Sequence, residues 1–205
     1  MAEAAASTAP APAAPKLVLG VTGSIAAVKA IELMRLLQRR GWDVWPVLTA
    51  CAAQYVAPLA FRALCGHPVP SGDFASQPAA ALAAAPYEHL DLTGGAAAML
   101  VAPCTANTLA KLAGGFAGDI LSAAALSLEP GVPLLVAPAM NVRMWQHPAT
   151  RANLDTLRRR GVHVIDPDTG PLACGDTGQG RLAPLETIAE AVCAVLPGGD
   201  SPLEN

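Results

Sequence analysis

Charged and aromatic side chains are scarce in this sequence. Asp, Glu, Lys and Arg make up 14% of the 205 residues, and Phe, Trp and Tyr make up 4%. The 13 basic and 16 acidic residues give a net charge of −3 at pH 7. This balance provides no electrostatic attraction to nucleic acid or to an anionic membrane. The basic run Arg158–Arg160 falls at a predicted helix end, where positive charge offsets the helix dipole.

Cysteine pairs and metal-ligand spacings are also lacking. The five cysteines are an odd number without a CxxC pair, and the four histidines show no HExxH spacing. We therefore predict no disulfide framework and no metal site, in a reducing, cytoplasmic setting. No apolar run reaches the ~18–20 residues that span a bilayer, so we expect no membrane segment. The Ala/Pro-rich start has no Lys or Arg before residue 16, unlike a signal peptide.

Hydrophobic residues are plentiful, at 53% of the chain, and they fall in runs that alternate between two periodicities. Short apolar runs typical of strands cover residues 16–22, 42–49, 98–102, 133–137 and 162–165. Amphipathic stretches typical of helices cover residues 25–40, 51–65 with a break at Pro58, 105–113, 120–126, 150–160 and 186–195. This alternation predicts an α/β fold with a parallel sheet covered on both faces. We expect one domain over 16–196, a disordered tail over 1–15 and a flexible end over 197–205.

Ligands of parallel sheets bind beyond the carboxyl ends of the strands. Two predicted strand-to-helix junctions there carry small or polar residues. Gly23-Ser24 follows the first strand, where glycine lets the backbone approach a phosphate at a helix N-terminus. The turn lacks the GxGxxG and GK[ST] patterns. Thr105–Thr108 opens another helix, and these side chains are either helix caps or cofactor ligands.

A third junction, Pro138–Asn141, directly follows a predicted buried strand. A neutral amide at this point binds a substrate carboxylate without adding charge, or else Asn141 is a turn residue. Met144 and Trp145 either wall the pocket or pack in the core.

Residues 173–182 contain three glycines within six residues, which predicts a mobile loop and not a regular element. Packing alone does not explain a cysteine and an aspartate, Cys174 and Asp176, in this loop. The thiol of Cys174 is a candidate proton donor, or else the segment is a glycine-rich connector with an incidental cysteine. His89 is the candidate catalytic histidine, against the alternative of a structural role. His67, His147 and His163 are weaker candidates.

Together these stretches resemble the homo-oligomeric flavin-containing cysteine decarboxylases, the HFCD flavoprotein family. The similarity runs in family order over residues 16–195. The matching stretches are Gly20–Ala27, Glu88–Leu92, Ala102-Pro103, Ala106–Thr108, Pro138–Asn141 with Met144-Trp145, and Ala173–Gly180. The pairing of the PAMN motif, Pro138-Ala-Met-Asn141, with the cysteine-bearing loop is the most specific part of the resemblance.

The resemblance implies a flavodoxin-like (Rossmann-like), doubly wound parallel sheet and FMN as the cofactor. It implies FMN-dependent decarboxylation of a small cysteine-containing acid, with 4′-phosphopantothenoyl-L-cysteine as the expected substrate. It implies a homo-oligomer, either a trimer or a dodecamer built from trimers, in which His89 can serve the flavin of a neighbouring subunit. Many relatives continue into a ligase domain, and we expect a separate phosphopantothenate–cysteine ligase to supply the substrate here.

The resemblance also implies a role for each site residue. His89, Cys174 and Asn141 would be catalytic. The expected FMN-binding residues are Gly23, Ser24, Ile25, Thr49, Tyr55, Ala106, Asn107, Thr108, Leu109 and Ala139. The expected substrate-binding residues are Met140, Asn141, Ala173 and Leu182.

Three other functions compete with this one. The first is oxidative decarboxylation of a peptide's C-terminal cysteine, as in lantibiotic maturation, which the Cys174 loop disfavours. The second is flavin prenyl transfer, which the set of His89, PAMN and Cys174 disfavours. The third is a non-catalytic regulatory homologue, although every catalytic position is present. Many relatives carry Trp-Ala-Asp where this chain has Gly95-Ala-Ala, a change that we expect to affect surface or subunit packing.

Overall fold

A computed structural model of the chain describes residues 13–76, 80, 83 and 88–196. The tail predicted over 1–15 and the end predicted over 197–205 lie wholly or largely outside these residues. The strands are β1 Lys16–Val21, β2 Asp43–Leu48, β3 Ala96–Cys104, β4 Leu134–Pro138, β5 His163–Val164, β6 Asp168–Pro171 and β7 Thr177–Arg181. The helices are α1 Ala30–Arg39, α2 Ala52–Tyr55, α3 Pro58–Cys65, α4 Glu88–Thr93, α5 Ala106–Gly114, α6 Ile120–Leu126, α7 Val142–Gln146, α8 Pro148–Arg159 and α9 Leu185–Ala194. Short 3₁₀ helices cover Ile25–Lys29 and Phe74–Ser76.

Five strands form a sheet in the order β2-β1-β3-β4-β5, and every neighbouring pair is parallel. This is the strand order of flavodoxin-like folds, in which the chain changes direction across the sheet between β1 and β3. The predicted doubly wound α/β fold is therefore confirmed. A ligand crevice is expected where β1 and β3 end, at Val21 and Cys104.

Both faces of the sheet are covered, as the strand pattern predicts. Leu17 and Leu19 of β1 point into one hydrophobic cluster with α1, α3 and α9. Val18 points into the other cluster with α5, α6 and α8. The buried residues of α1 recur every three or four positions, which turns one stripe of the helix to the sheet. The two clusters hold the strand ends in fixed positions.

The glycine-rich segment differs from its prediction. The expectation of an irregular loop over 173–182 is wrong for residues 177–181, which form β7 and pair antiparallel with β6. The hairpin requires glycine at positions 178 and 180 because its backbone packs directly against residues 140–142. A Cβ at Gly180 would lie 2.2 Å from the carbonyl oxygen of Met140, and one at Gly178 would lie 2.9 Å from a methyl group of Val142.

Smaller differences concern helices. Ile25–Lys29 is a 3₁₀ helix and α1 begins only at Ala30, although the sequence predicts one continuous helix. His89 lies in α4, and α7 is an additional helix directly after the PAMN motif. None of the helices among the described residues is long and apolar enough to cross a membrane.

Candidate active site

A polar cavity of about 320 Å³ opens at the carboxyl ends of β1, β2 and β3. We call it the polar cavity. Its lining residues are Gly23, Thr49, Cys51, Asp73, Thr105, Ala106, Asn107, Thr108, Lys111, Asp119 and Met144. The cavity coincides with the crevice that the strand order predicts.

The turn after β1 is held against the end of β3 by one buried side chain. Thr22 is fully buried, and its hydroxyl donates to the Pro103 carbonyl (2.7 Å) and accepts from the Thr105 amide (3.0 Å). The peptide bond before Pro103 is cis. A Cβ at Gly23 would lie 2.2 Å from the sulfur of Cys51. The turn can therefore pack this closely against Cys51 only because residue 23 has no side chain.

The N-terminus of α5 forms a second wall of the polar cavity. Thr105 is its N-cap residue, and the Thr105 hydroxyl accepts from the Thr108 amide at 3.4 Å. The first amides of a helix have no intrahelical acceptors and carry a partial positive charge. Ala106 and Asn107 occupy these first positions, with Asn107 exposed and Thr108 buried. This arrangement suits a phosphate group.

A larger, mostly apolar cavity of about 450 Å³ lies on the other side of the Gly23-Ser24 turn. We call it the apolar cavity. It is lined by Ser24–Ala26, Val28, Lys29, Ala139–Asn141, Pro171–Cys174 and Gly180–Leu182. Three segments that are far apart in the sequence thus surround one space: the 3₁₀ helix Ile25–Lys29, the PAMN motif and the β6–β7 hairpin.

Asn141 and Cys174, which line this cavity, form a hydrogen-bonded group with Asp176. The side-chain amide of Asn141 donates to Asp176 Oδ2 at 2.9 Å and to Cys174 Sγ at 3.1 Å. The thiol of Cys174 points to the same carboxylate oxygen at 3.7 Å. The other end of the Asn141 amide accepts from the Arg143 backbone at 2.8 Å and caps α7. Helix capping therefore fixes which atom of Asn141 faces the loop.

Two further contacts fasten the hairpin to the PAMN turn. The Met140 amide donates to the Gly180 carbonyl at 2.9 Å. The indole of Trp145 is buried and donates to the Gln179 side chain at 2.9 Å. Of the two residues that could wall the pocket or pack in the core, Met144 lines the polar cavity and Trp145 packs in the core.

Hydrogen bonding and burial shift the pKa values of two side chains, Asp176 and Cys104. The hydrogen bond from Asn141, with a smaller contribution from Cys174, holds the pKa of Asp176 below its usual range. Burial raises the pKa of the Cys104 thiol to about 12. Among the described residues, no group of three or more His, Cys, Asp and Glu side chains could hold a metal ion.

The two cavities bring together most of the site residues expected from the sequence. Three of those residues lie elsewhere. Tyr55 on α2 is half exposed and Leu109 is fully buried in the core. His89 is half-buried on α4, with its ring edge against Phe74 at 6.3 Å between centroids. Asp176 was not among the expected residues, and its position two residues after Cys174 was the available signal.

Comparisons with known proteins agree with this geometry. Residues 7–197 match the model of the family described as Flavoprotein. A probable phosphopantothenoylcysteine decarboxylase of Streptococcus mutans is 40% identical over 177 residues, which cover 86% of this chain and 96% of the relative. The coenzyme A biosynthesis bifunctional protein CoaBC of Escherichia coli K12 is 41% identical over 186 residues, or 90% of this chain. The chain spans only 44% of the length of that bifunctional relative.

Solved structures are also similar. A Cys-to-Ser mutant of PPC decarboxylase complexed with pantothenoylaminoethenethiol is 29% identical, with a TM-score of 0.72 over 87% of this chain and 96% of that one. The FMN-dependent cysteine decarboxylase SpaF is 30% identical, with a TM-score of 0.68 over 89% of this chain and 98% of that one. The chain therefore belongs to the Flavoprotein family. This confirms the HFCD resemblance seen in the sequence.

Proposed function

We propose that this protein is an FMN-dependent decarboxylase that converts 4′-phosphopantothenoyl-L-cysteine to 4′-phosphopantetheine in coenzyme A biosynthesis. The observation that carries the proposal is the contact between the Asn141 amide and the Cys174 thiol at the wall of the apolar cavity. A carboxylate-binding group and a proton donor are thereby side by side. The relative of nearly equal length, a probable phosphopantothenoylcysteine decarboxylase, supports the same substrate.

The two cavities suit the two chemically different ends of FMN. The polar cavity, with Gly23, Thr49 and the Ala106–Thr108 amides, would hold the phosphate. The apolar cavity, with Ser24, Ile25 and Ala139, would receive the flat ring system. The Gly23-Ser24 turn lies between them, because Gly23 lines the polar cavity and Ser24 lines the apolar cavity.

FMN supplies the two-electron redox chemistry that a cysteine carboxylate lacks, since loss of CO₂ alone would leave an unstabilised carbanion. The protein binds, orients and protonates. Asn141 would bind the substrate carboxylate through its side-chain N–H groups, one of which now bonds Asp176. Because Asp176 is itself a carboxylate, it occupies the partner position that the substrate carboxylate would take. Substrate binding would therefore exchange one carboxylate for the other at the same amide.

Cys174 would deliver the proton that completes the reaction. It lies on the exposed 173–175 turn, so its thiol can reach a substrate in the apolar cavity. The turn is short and ordered by two hydrogen bonds, from the Leu172 amide to Asp176 and from the Gly175 amide to Leu172. This would limit the positions that the thiol can take and keep it near Asn141. Met140, Ala173 and Leu182 would line the substrate path.

His89 would act in the site of a neighbouring subunit of a homo-oligomer. It lines neither cavity of its own chain, which agrees with an active site shared between subunits. Mixing inactive His89→Asn protein with inactive Asn141→Ala protein, under conditions that exchange subunits, should restore part of the activity. Restoration fails if both residues serve the same site within one chain.

A peptide ending in cysteine is the main alternative substrate, since SpaF is a cysteine decarboxylase of similar fold. Purified protein loaded with FMN should be given 4′-phosphopantothenoyl-L-cysteine and a peptide with C-terminal cysteine in parallel, with CO₂ release followed for each. We expect turnover of the small phosphorylated acid only. Preference for the peptide would contradict the proposal and favour the oxidative peptide enzyme.

A further inference from the structure

Lys111 lines the polar cavity, on the same face of α5 as the cavity-lining residues of the first helical turn. It follows Asn107 by four residues and Thr108 by three, and residues at these spacings are neighbours on a helix surface. All three side chains line the cavity. Among the described residues that line this cavity, Lys111 is the only one with a positively charged side chain. Two carboxylates, those of Asp73 and Asp119, line the cavity with it.

The ammonium group of Lys111 is held in place by a buried carboxylate. Lys111 Nζ lies 2.5 Å from Asp119 Oδ2, and the Asp119 side chain is only 2% exposed. Asp119 Oδ1 accepts from the Ser122 amide at 2.8 Å, and the Asp119 amide in turn donates to the Ser122 hydroxyl at 3.2 Å. This reciprocal capping box starts α6. The Asp119 carboxylate therefore cannot turn away from Lys111 without uncapping a helix.

An ammonium group has three N–H donors, and Asp119 Oδ2 uses one of them. The Lys111 side chain is 28% exposed and the residue lines the polar cavity, so we infer that the remaining donors can reach a ligand there. A phosphate at the N-terminus of α5 would meet the first-turn amides and this ammonium together. Without Lys111 the same phosphate would face two carboxylates and only the partial charge of the helix.

We propose that Lys111, positioned by Asp119, makes the polar cavity select the phosphorylated flavin FMN over unphosphorylated riboflavin. The inference rests on the proposed binding of FMN and adds the residue that recognises its phosphate. Lys111 acts on the end of the cofactor remote from the redox ring. Its removal should therefore change cofactor affinity and leave the ring chemistry of any bound flavin intact.

The test compares the binding of FMN and riboflavin to apoprotein by quenching of flavin fluorescence. In Lys111→Met we expect the affinity for FMN to fall about 10- to 100-fold, as for loss of a charge-assisted hydrogen bond, with riboflavin affinity unchanged. Lys111→Arg keeps the charge and should keep most of the preference. Arg62→Met removes an exposed cation that lines neither cavity and should bind both flavins like the parent.

Lys111→Met also leaves the Asp119 carboxylate buried without its cation, which can unfold the protein. The double variant Lys111→Met/Asp119→Asn removes both charges and retains an N-cap side chain. It should be folded by circular dichroism and still lose FMN preference. Equal loss of both flavins, or unchanged preference in the folded double variant, would overturn the inference. Parent protein that binds neither flavin would instead overturn the proposed function itself.

Discussion

Replacing Gly180 with alanine should separate the β6–β7 hairpin from the Asn141 turn. The new Cβ would lie 2.2 Å from the Met140 carbonyl oxygen, whereas ordinary contacts begin at 3.4 Å, so the two backbones must move apart by about 1.2 Å. Both are main chain, and no flexible side chain can give way. The 2.9 Å bond from the Met140 amide to the Gly180 carbonyl would then break.

The expected cost combines that hydrogen bond with the strain of alanine at φ 153°. Together these amount to about 2–3 kcal/mol of unfolding free energy. For a domain of this size the melting temperature should fall by roughly 5–10 °C. Decarboxylation should fall at least 10-fold in protein that remains folded and FMN-loaded, because Cys174 and Asp176 move with the hairpin away from Asn141.

Gly161→Ala is the matched control. Gly161 also has a positive φ, 82°, but a Cβ there meets nothing within 4 Å. This variant should lose about 1 kcal/mol from backbone strain and keep its turnover. Thermal melts followed by absorbance of bound flavin, and CO₂ release at saturating substrate, measure both effects. Gly180→Ala protein with parental melting temperature and turnover would refute the idea that the hairpin positions the site.

Three further predictions concern the thiols and Asp176. In a single turnover with no more substrate than bound FMN, Cys174→Ala should still release CO₂, and mass spectrometry should show a product two hydrogens lighter than 4′-phosphopantetheine, since FMN would keep the two electrons. A fully reduced product would remove the thiol from its role. At pH 8, Ellman's reagent should label exposed Cys51 and Cys174 rapidly, whereas Cys104, with its pKa raised to about 12, should react only after unfolding. The lowered pKa of Asp176 means that its contact stabilises the fold above the ordinary Asp pKa of about 3.9 and is lost as the pH falls below it. The free energy of unfolding, measured with urea, should therefore fall more steeply from about pH 5 to about pH 2 in the parent than in Asp176→Asn. Parallel curves for the two proteins would contradict the stabilising contact of Asp176.

The main elements could be predicted from the sequence because their signals are local. The apolar run of β1 and the stripe of α1 carry their own periodicity, and Pro58 marks the break between α2 and α3. The hairpin could not be predicted in this way. Its glycines at 178 and 180 look like a flexible loop in sequence, and only contact with Val142 and Met140 explains why residues without side chains are needed there.

The site was predictable in parts. Asn141 and Cys174 stand in recognisable motifs, but nothing local indicates that the two side chains touch. Asp176 stands out beside Cys174 in the sequence, but no role could be predicted for it because that role depends on a hydrogen bond to a residue 35 positions earlier. The ion pair between Lys111 and Asp119 could not be predicted, because hydrophobic periodicity does not indicate which charged side chains of two helices meet.

The product formed from 4′-phosphopantothenoyl-L-cysteine by the FMN-loaded protein tests the central claim most directly. The proposed function predicts release of CO₂ and appearance of 4′-phosphopantetheine, identified by its mass. A product two hydrogens lighter would keep the decarboxylation but contradict protonation by Cys174. Absence of any turnover by the FMN-loaded, folded protein would contradict the assignment of this substrate.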